Sequence, residues 1–253
     1  MRRALTRGTL AALPLALALA AAPARAQDFA TEASIVEGEN PALNPYRTPQ
    51  RFAFELTFGP YRPDIDSEFN GARAPYASFY GPGSHLLTRA ELDYQFFHRY
   101  GSLGLGLGVG YFSVTANSPV ADGTGLPSGD TSQLKIVPVS LSLVYRFDYF
   151  LENRNFPLVP FAKAGVDWAY WQNTDGNGGR GRGGTFGWHA AGGVALMLDF
   201  IDPDAARDFD QDLGVNHTGL TFEYYHADIS GLGEANRLHV GDTNWTLGLL
   251  LEF

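Results

Sequence analysis

The sequence contains no cysteine in its 253 residues. Such a chain forms neither disulfides nor thiolate metal sites, so its stability depends on buried side chains and backbone hydrogen bonds. Basic residues are also few: 18 Lys and Arg stand against 27 Asp and Glu, and the formal net charge is −9. Because nucleic-acid binding depends on excess positive charge, this balance argues against nucleic acid as a partner.

Long apolar runs are missing from the chain after its first 26 residues. Residues 1–26 place three arginines within the first seven positions, then an Ala/Leu run at about 9–22, and then Ala-Arg-Ala at 24–26. This order is typical of a secretory signal peptide with a small-x-small cleavage site. The run is short for a membrane-spanning helix, so the pattern predicts export and removal of residues 1–26.

Alternation is the dominant pattern in the rest of the chain. Apolar residues recur at every second position in eight stretches, at 52–58, 92–96, 103–111, 137–147, 158–170, 186–200, 220–224 and 245–253. Period two fits these stretches better than the helical period of 3.6, which predicts eight strands and one all-β domain over residues 51–253. Residues 27–50 lack periodicity and are predicted to form a flexible periplasmic segment.

A soluble β-sandwich alternates in the same way, so alternation alone does not identify the solvent. Three features favour lipid. The predicted strands run to roughly 11–16 residues where soluble strands have about 5 or 6, aromatic residues flank the apolar runs, and the chain ends on the amphipathic stretch NWTLGLLLEF. Because a sheet in lipid must close to leave no unpaired edge, we predict a transmembrane, antiparallel, up-and-down β-barrel of eight strands.

The stretch GSLGLGLGVGYF at 101–112 illustrates the two faces of such a barrel. Its Leu, Val and Tyr residues are predicted to face lipid, while Gly or Ser occupies each position between them. Glycines inside a soluble strand would weaken pairing and packing. Inside a narrow barrel they are predicted to leave space for long charged side chains from neighbouring strands.

A signal peptide, eight amphipathic strands and a terminal phenylalanine together resemble the small outer-membrane β-barrel proteins of Gram-negative bacteria. More narrowly, FELTFGPYRPDID at 54–66, IVPVSLSLVYRFDYF at 136–150 and GWHAAGGVALMLDF at 187–200 resemble an outer-membrane barrel family of myxobacteria and their relatives. The resemblance implies an outer-membrane location and no particular activity. It also implies that the last strand carries the insertion signal read by the barrel-assembly machinery, at Trp245, Leu247, Leu249, Leu251 and Phe253.

The connections predict the orientation of the barrel. Links after strands 1, 3, 5 and 7 are rich in Gly, Pro, Asn and Asp and are predicted to be the outer loops, because membrane barrels have short periplasmic turns and longer outer loops. The link after the sixth strand is long for a turn, and Asp202 is predicted to cap a short helix that begins at Pro203. Arg180 and Arg182 fall in a predicted outer loop, where they could meet lipopolysaccharide phosphates. The favoured interpretation is that they are flexible surface arginines.

The positions opposite in parity to the apolar ones are predicted to face the interior. They hold a candidate charge network at Glu55, Glu91, Asp93, Arg146, Lys163, Asp167, His189 and Glu223. Buried charges persist only when they are paired, so the favoured interpretation is a filled polar lumen in a protein with a structural or surface-interaction role. The alternative is a narrow channel for small or apolar solutes, lined by Glu55, Arg146, Lys163 and Glu223.

An enzyme is not predicted. Ser140, Ser142, His189 and Asp167 could supply a Ser/His/Asp set, but no spacing singles it out, which leaves a barrel lipid hydrolase as the least favoured alternative. The loop acids lack the ligand order of a calcium loop, so neither metal nor cofactor is predicted. The predicted partners are outer-membrane lipid, lipopolysaccharide and the assembly machinery, for a monomeric barrel.

Overall fold

The computed structural model describes residues 50–119, 127–154, 156–175, 178–234 and 237–253. The predicted signal peptide and residues 27–49 of the predicted periplasmic segment lie outside the described residues. Gln50, the last residue of that segment, is buried, and its Nε2 donates a hydrogen bond to Gln95 Oε1 at 3.2 Å. Gln50 therefore belongs with the strands that follow it.

Eight strands form one closed antiparallel sheet in chain order. They are β1 (Phe52–Tyr61), β2 (His85–His98), β3 (Ser102–Pro119), β4 (Pro127–Arg146), β5 (Leu158–Thr174), β6 (Arg180–Met197), β7 (His217–Asp228) and β8 (Asp242–Glu252). The sheet closes where β8 pairs with β1, from Ala53 opposite Glu252 to Phe58 opposite Leu247. The predicted eight-stranded up-and-down barrel is confirmed.

Within the described residues, helices occur only in the connections between strands. A 3-10 helix (Asp64–Phe69) and α1 (Pro75–Tyr80) lie between β1 and β2, α2 (Tyr149–Arg154) between β4 and β5, and α3 (Pro203–Leu213) between β6 and β7. The predicted cap of α3 is present, because Asp202 Oδ1 accepts a hydrogen bond from Ala205 N at 3.1 Å. Within the described residues, no helix is long and apolar enough to cross a membrane.

The strands on one side of the barrel extend further than predicted. The predicted loops at 116–132 and 172–184 are largely strand, since Asn117 pairs with Thr131 and Thr174 pairs with Arg180. Arg180 and Arg182 therefore lie on β6 and not in a loop. These extensions are polar on both faces, and backbone pairing holds them without the apolar alternation that a sequence pattern detects.

The glycines of β3 provide space for the charged residues of β2. Gly106 lies opposite Asp93, Gly108 opposite Glu91 and Gly110 opposite Arg89. A Cβ atom on Gly106 would overlap Asp93 Oδ1 and lie 3.2 Å from Glu91 Cδ, and one on Gly110 would lie 2.9 Å from Arg89 Cγ. The predicted role of the GSLGLGLGVGYF stretch is confirmed for these neighbours.

Two apolar clusters occupy the interior on either side of its charged middle. The outer cluster lies at the end where β1 meets β2; it joins strand residues to Tyr76 of α1 and to Ile229 and Val240 of the β7–β8 connection. Its remaining members are Tyr61, Leu87, Phe112, Val114, Leu134, Ile136, Ala169 and Ala227. The inner cluster lies towards the opposite end and consists of Ala53, Val159, Phe161, Ala195, Met197 and Leu250, with Leu151 of α2 packed against it.

Replacing Gly106 with Leu is expected to impair folding, because the new side chain would occupy the space of Asp93 and Glu91. Overpacking costs about 1–3 kcal/mol, and displaced carboxylates would also lose their cations. The folded fraction can be measured by heat-modifiable migration in gel electrophoresis.

Gly192→Leu is the matched control for this substitution. A Cβ atom on Gly192 would meet only Phe161 O, at 3.8 Å, and the residue lies among the outward-facing positions of β6. We therefore expect this variant to fold normally. Equal folding of the two variants would contradict a packed interior at Gly106.

Candidate functional site

Lys163 lies at the centre of the charged interior. Its Nζ is 2.6 Å from Glu55 Oε2, 2.8 Å from Glu91 Oε1 and 3.1 Å from Glu223 Oε2. The second oxygen of Glu55 accepts a hydrogen bond from Thr221 Oγ1 at 2.8 Å. One ammonium group from β5 thus links carboxylates from β1, β2 and β7, which is how buried charges are tolerated in an interior.

A second ion pair lies towards the inner end of the barrel. Arg146 Nη2 donates to Asp93 Oδ2 at 2.5 Å, and both side chains are almost completely buried. Arg146 Nε also lies 3.8 Å from Glu252 Oε1, which accepts a hydrogen bond from Gln95 Nε2 at 3.3 Å. This pairing connects β2 to β4 and to the last residue of β8.

A Ser–His–Asp arrangement extends from the central cluster. Ser142 Oγ is 3.1 Å from His189 Nε2, and His189 Nδ1 is 2.7 Å from Asp167 Oδ2. Gly165 lies opposite His189 in the next strand, and a Cβ atom there would lie 2.6 Å from the imidazole Cε1, so this glycine leaves room for the ring. The register of β4, β5 and β6 therefore brings together three residues that no sequence spacing linked.

Ser142 has a second polar neighbour that a simple catalytic triad lacks. Asp167 can only accept when ionised, so His189 Nδ1 carries a proton. Ser142 Oγ also lies 3.1 Å from Glu91 Oε2, yet a hydroxyl has a single proton to donate. His189 Nε2 and Glu91 Oε2 therefore compete for the single hydroxyl proton of Ser142.

Arg89 and Tyr225 connect the Ser142–His189–Asp167 arrangement to the outer apolar cluster. The Arg89 guanidinium carbon lies 3.6 Å above the centre of the Tyr225 ring, and its Nη2 is 3.8 Å from Glu223 Oε1. The other side of the arrangement is closed by His189, whose ring stacks on Tyr225 with centroids 5.4 Å apart. An arginine stacked on an aromatic face adds cation–π attraction to its ion pair.

All eight predicted network residues lie inside the barrel. Six of them are linked through Lys163 and Ser142, whereas Asp93 and Arg146 form a separate ion pair. Arg89 also belongs to the network. Glu252 faces inward on β8, as the alternation predicts, but the predicted network did not include it. Tyr225 was missed, because it follows the outward Tyr224 and resembles a residue of the aromatic belt.

Helix α1 of the first connection packs against the outer apolar cluster through Tyr76. Asp66 accepts hydrogen bonds from Tyr76 N at 2.7 Å and Ala77 N at 3.2 Å, which fixes the start of α1 over the interior. Burial raises the pKa of the Tyr76 phenol to about 12, so it remains protonated at neutral pH. Tyr61 Oη donates to Val240 O at 2.5 Å and ties the β7–β8 connection to the same place.

The predicted insertion-signal residues lie along the outer face of β8. Trp245, Leu247 and Leu249 are exposed, and each pairs with an outward residue of β7. Phe253 helps to close the barrel, because its backbone carbonyl accepts hydrogen bonds from Arg51 N and Phe52 N. Its phenyl ring stacks on that of Phe52. Recognition by assembly machinery stays a prediction.

No protein-family model matches the chain, and no curated protein matches it. Among solved structures it is similar to the outer membrane protein OprG of Pseudomonas aeruginosa, with a TM-score of 0.46 and 13% identity over 82% of this chain and 97% of that chain. It is similar to Neisserial surface protein A, with a TM-score of 0.43 and 12% identity over 81% of this chain and 97% of that chain. It is also similar to the outer membrane enzyme PagL, with a TM-score of 0.35 and 14% identity over 79% of this chain and 98% of that chain.

Replacing Lys163 with Met is expected to destabilise the barrel by about 3–5 kcal/mol, because three buried carboxylates lose their shared cation. Urea-induced unfolding in lipopolysaccharide-free micelles, monitored by tryptophan fluorescence, measures the change in the free energy of unfolding.

Lys135→Met is the matched control, since Lys135 lies on the outer face of β4 and has no ion pair with any described residue. We expect a change within about 0.5 kcal/mol for this surface position. A similar loss in both variants would show that the central cluster contributes no more than a surface lysine.

Proposed function

We propose that this chain is an integral outer-membrane β-barrel of a Gram-negative bacterium with a filled interior, serving as a structural or surface-interaction protein. The observation that carries the proposal is the outer face of the barrel. Leu107 is 62% exposed, Phe186 60% and Val166 58%, and such side chains cover every strand. Soluble monomers rarely expose apolar patches beyond a few hundred Å².

Charge is absent from the middle of this outer face. Among the described residues, no Asp, Glu, Lys or Arg occupies the outward positions of 52–58, 88–96, 103–111, 137–145, 158–170, 186–196, 220–224 and 245–251. Aromatic side chains border the band at both ends, with Trp168 and Trp245 towards the outer loops and Tyr94 and Tyr145 towards the inner turns. Apolar bands flanked by aromatic girdles are typical of membrane barrels.

Support for a filled interior comes from its layered contents. Apolar clusters lie on either side of the central ion pairs, and the outer cluster includes residues from two connections that fold over the mouth. Glu55, Arg146, Lys163 and Glu223, the proposed lining of the alternative channel, are instead paired and buried. A conducting state would have to separate these ions, so we favour the non-conducting barrel over the channel.

The same surfaces define the proposed partners. Outer-membrane lipid and lipopolysaccharide would cover the apolar band, and the assembly machinery would read the β8 residues during insertion. Along the apolar band the sheet is closed and presents no edge strand for pairing with a second copy, which supports a monomer. The resemblance to the myxobacterial family remains a prediction from the sequence.

Purified protein is expected to insert into planar lipid bilayers without steady ion conductance, since the ion pairs and apolar clusters fill its interior. Single-channel recording measures conductance, and heat-modifiable migration of the recovered protein verifies the folded barrel. Reproducible conductance steps would overturn the filled interior in favour of the channel. A folded protein that stays in solution and does not partition into lipid would overturn the membrane placement itself.

Hydrolysis is the second candidate function, because Ser142, His189 and Asp167 have the contacts of a nucleophile, a base and an orienting carboxylate. Two observations weigh against it. Ser142 is 0% exposed, so its Oγ has no surface at which a substrate carbonyl could approach. Glu91 also competes for the single hydroxyl proton. We therefore propose that these residues are members of the buried network.

A fluorophosphonate probe, which labels activated serines, is expected to leave the folded protein unlabelled. Mass spectrometry of the treated protein would locate any adduct, and Ser142→Ala provides the comparison. Labelling at Ser142 that disappears in the Ser142→Ala variant and in a His189→Ala variant that still folds would support the hydrolase instead.

A further inference from the structure

A row of polar and basic side chains crosses the outer face of β3 to β6 just beyond the apolar band. The strand register places Ser113 opposite Lys135, Lys135 opposite Gln172, and Gln172 opposite Arg182. We call these four residues the basic row. Arg180 lies one outward position further along β6. Neighbouring strands are about 4.8 Å apart, so the backbones that carry Lys135 and Arg182 are separated by roughly 10 Å.

The basic row lies at the height expected of a lipid headgroup region. Lys135 and Tyr145 both point outward from β4, and Tyr145 Oη donates to Tyr100 O beside the inner turn of β2 and β3. The ten residue steps from Lys135 to Tyr145 span roughly 33 Å along the strand, or about 25 Å along the barrel axis for a tilt of about 40°. This is the usual height of the apolar band in outer-membrane barrels.

Trp168 and Tyr170 mark the boundary directly below the basic row. Tyr170 lies opposite Gly184, the outward residue next to Arg182 on β6, and a Cβ atom on Gly184 would lie 2.7 Å from Trp168 Nε1. Gly184 therefore lets the Trp168 indole lie against the strand. Indole and phenol rings favour the border between lipid and water.

The cations of this surface are available for an external anion. Within the described residues, Lys135, Arg180 and Arg182 form no ion pair and no side-chain hydrogen bond. The acid near them in the β5–β6 connection, Asp175, is engaged at short range, since its Oδ1 accepts a hydrogen bond from Gly179 N at 2.6 Å. Gln172 adds an amide that can donate or accept beside both cations of the row.

We propose that the basic row, with Arg180 above it, binds phosphate groups of lipopolysaccharide in the outer leaflet. Arginine and lysine at headgroup height match phosphate oxygens in charge and hydrogen bonding, and the acyl chains of the same molecule would cover the apolar band below. The inference rests on the proposed membrane placement and adds a specific lipid contact on one side of the barrel.

The experiment compares the wild-type barrel with a Lys135→Gln/Arg182→Gln variant, each reconstituted in nanodiscs of zwitterionic phospholipid. Binding of fluorescent lipopolysaccharide is measured with phosphorylated material, with enzymatically dephosphorylated material, and with phosphatidylglycerol vesicles as a competitor. The wild type is expected to bind dephosphorylated lipopolysaccharide about tenfold or more weakly than it binds the phosphorylated form. The variant is expected to bind phosphorylated lipopolysaccharide more weakly than the wild type does, by a similar factor. Higher salt should weaken the wild-type interaction.

Arg207→Gln is the matched control, because Arg207 lies in α3 at the opposite end of the barrel and is already paired with Asp204 at 3.4 Å. It should leave the affinity unchanged. Unaltered affinity of the double variant, or equal affinity for both forms of lipopolysaccharide, would overturn the proposal, as would equal competition by phosphatidylglycerol. Heat-modifiable migration in the nanodiscs separates these outcomes from a failure of membrane insertion, which would overturn the proposed function as well.

Discussion

Closure of the sheet is the constraint on which the rest of the structure depends. When β8 pairs with β1, every strand has two neighbours within the closed part of the sheet, and the outer extensions of β3 and β6 are paired on one side alone. Only such a sheet can satisfy its backbone without water. Closure also divides the side chains of each strand between an enclosed interior and a continuous outer surface. The apolar band and the charged network are therefore two results of the same alternation.

Space inside the barrel is the second constraint. Eight strands enclose little more than the volume of their inward side chains, so long charged residues need small residues beside them. Gly106 and Gly108 lie opposite Asp93 and Glu91, and Gly165 leaves room for His189. With that space available, Lys163 reaches carboxylates from three other strands. A stripe of glycine on one strand and a stripe of charge on its neighbour thus form one structural unit.

The proposals follow the same division between inside and outside. Ion pairs and apolar clusters in the interior support a filled barrel, and they place Ser142 where a substrate would have no approach. Outside, the strands of β3 to β6 continue past the apolar band and present cations where a membrane has phosphate. The interior therefore explains stability, and the outer wall is where we expect contact with other molecules.

The sequence by itself determined the strand number and the inward or outward face of the alternating positions, because alternation depends only on neighbouring residues of one strand. Asp202 as the cap of α3 could be predicted for the same local reason. The polar extensions of β3 to β6 were assigned to loops, since polar strands carry no hydrophobic alternation. Only the tertiary structure decided which charges meet: the register brings Ser142, His189 and Asp167 together, places Tyr225 between Arg89 and His189, and aligns Lys135 with Arg182. Register depends on how all eight strands slide to close one ring, and no single stretch of sequence contains that information.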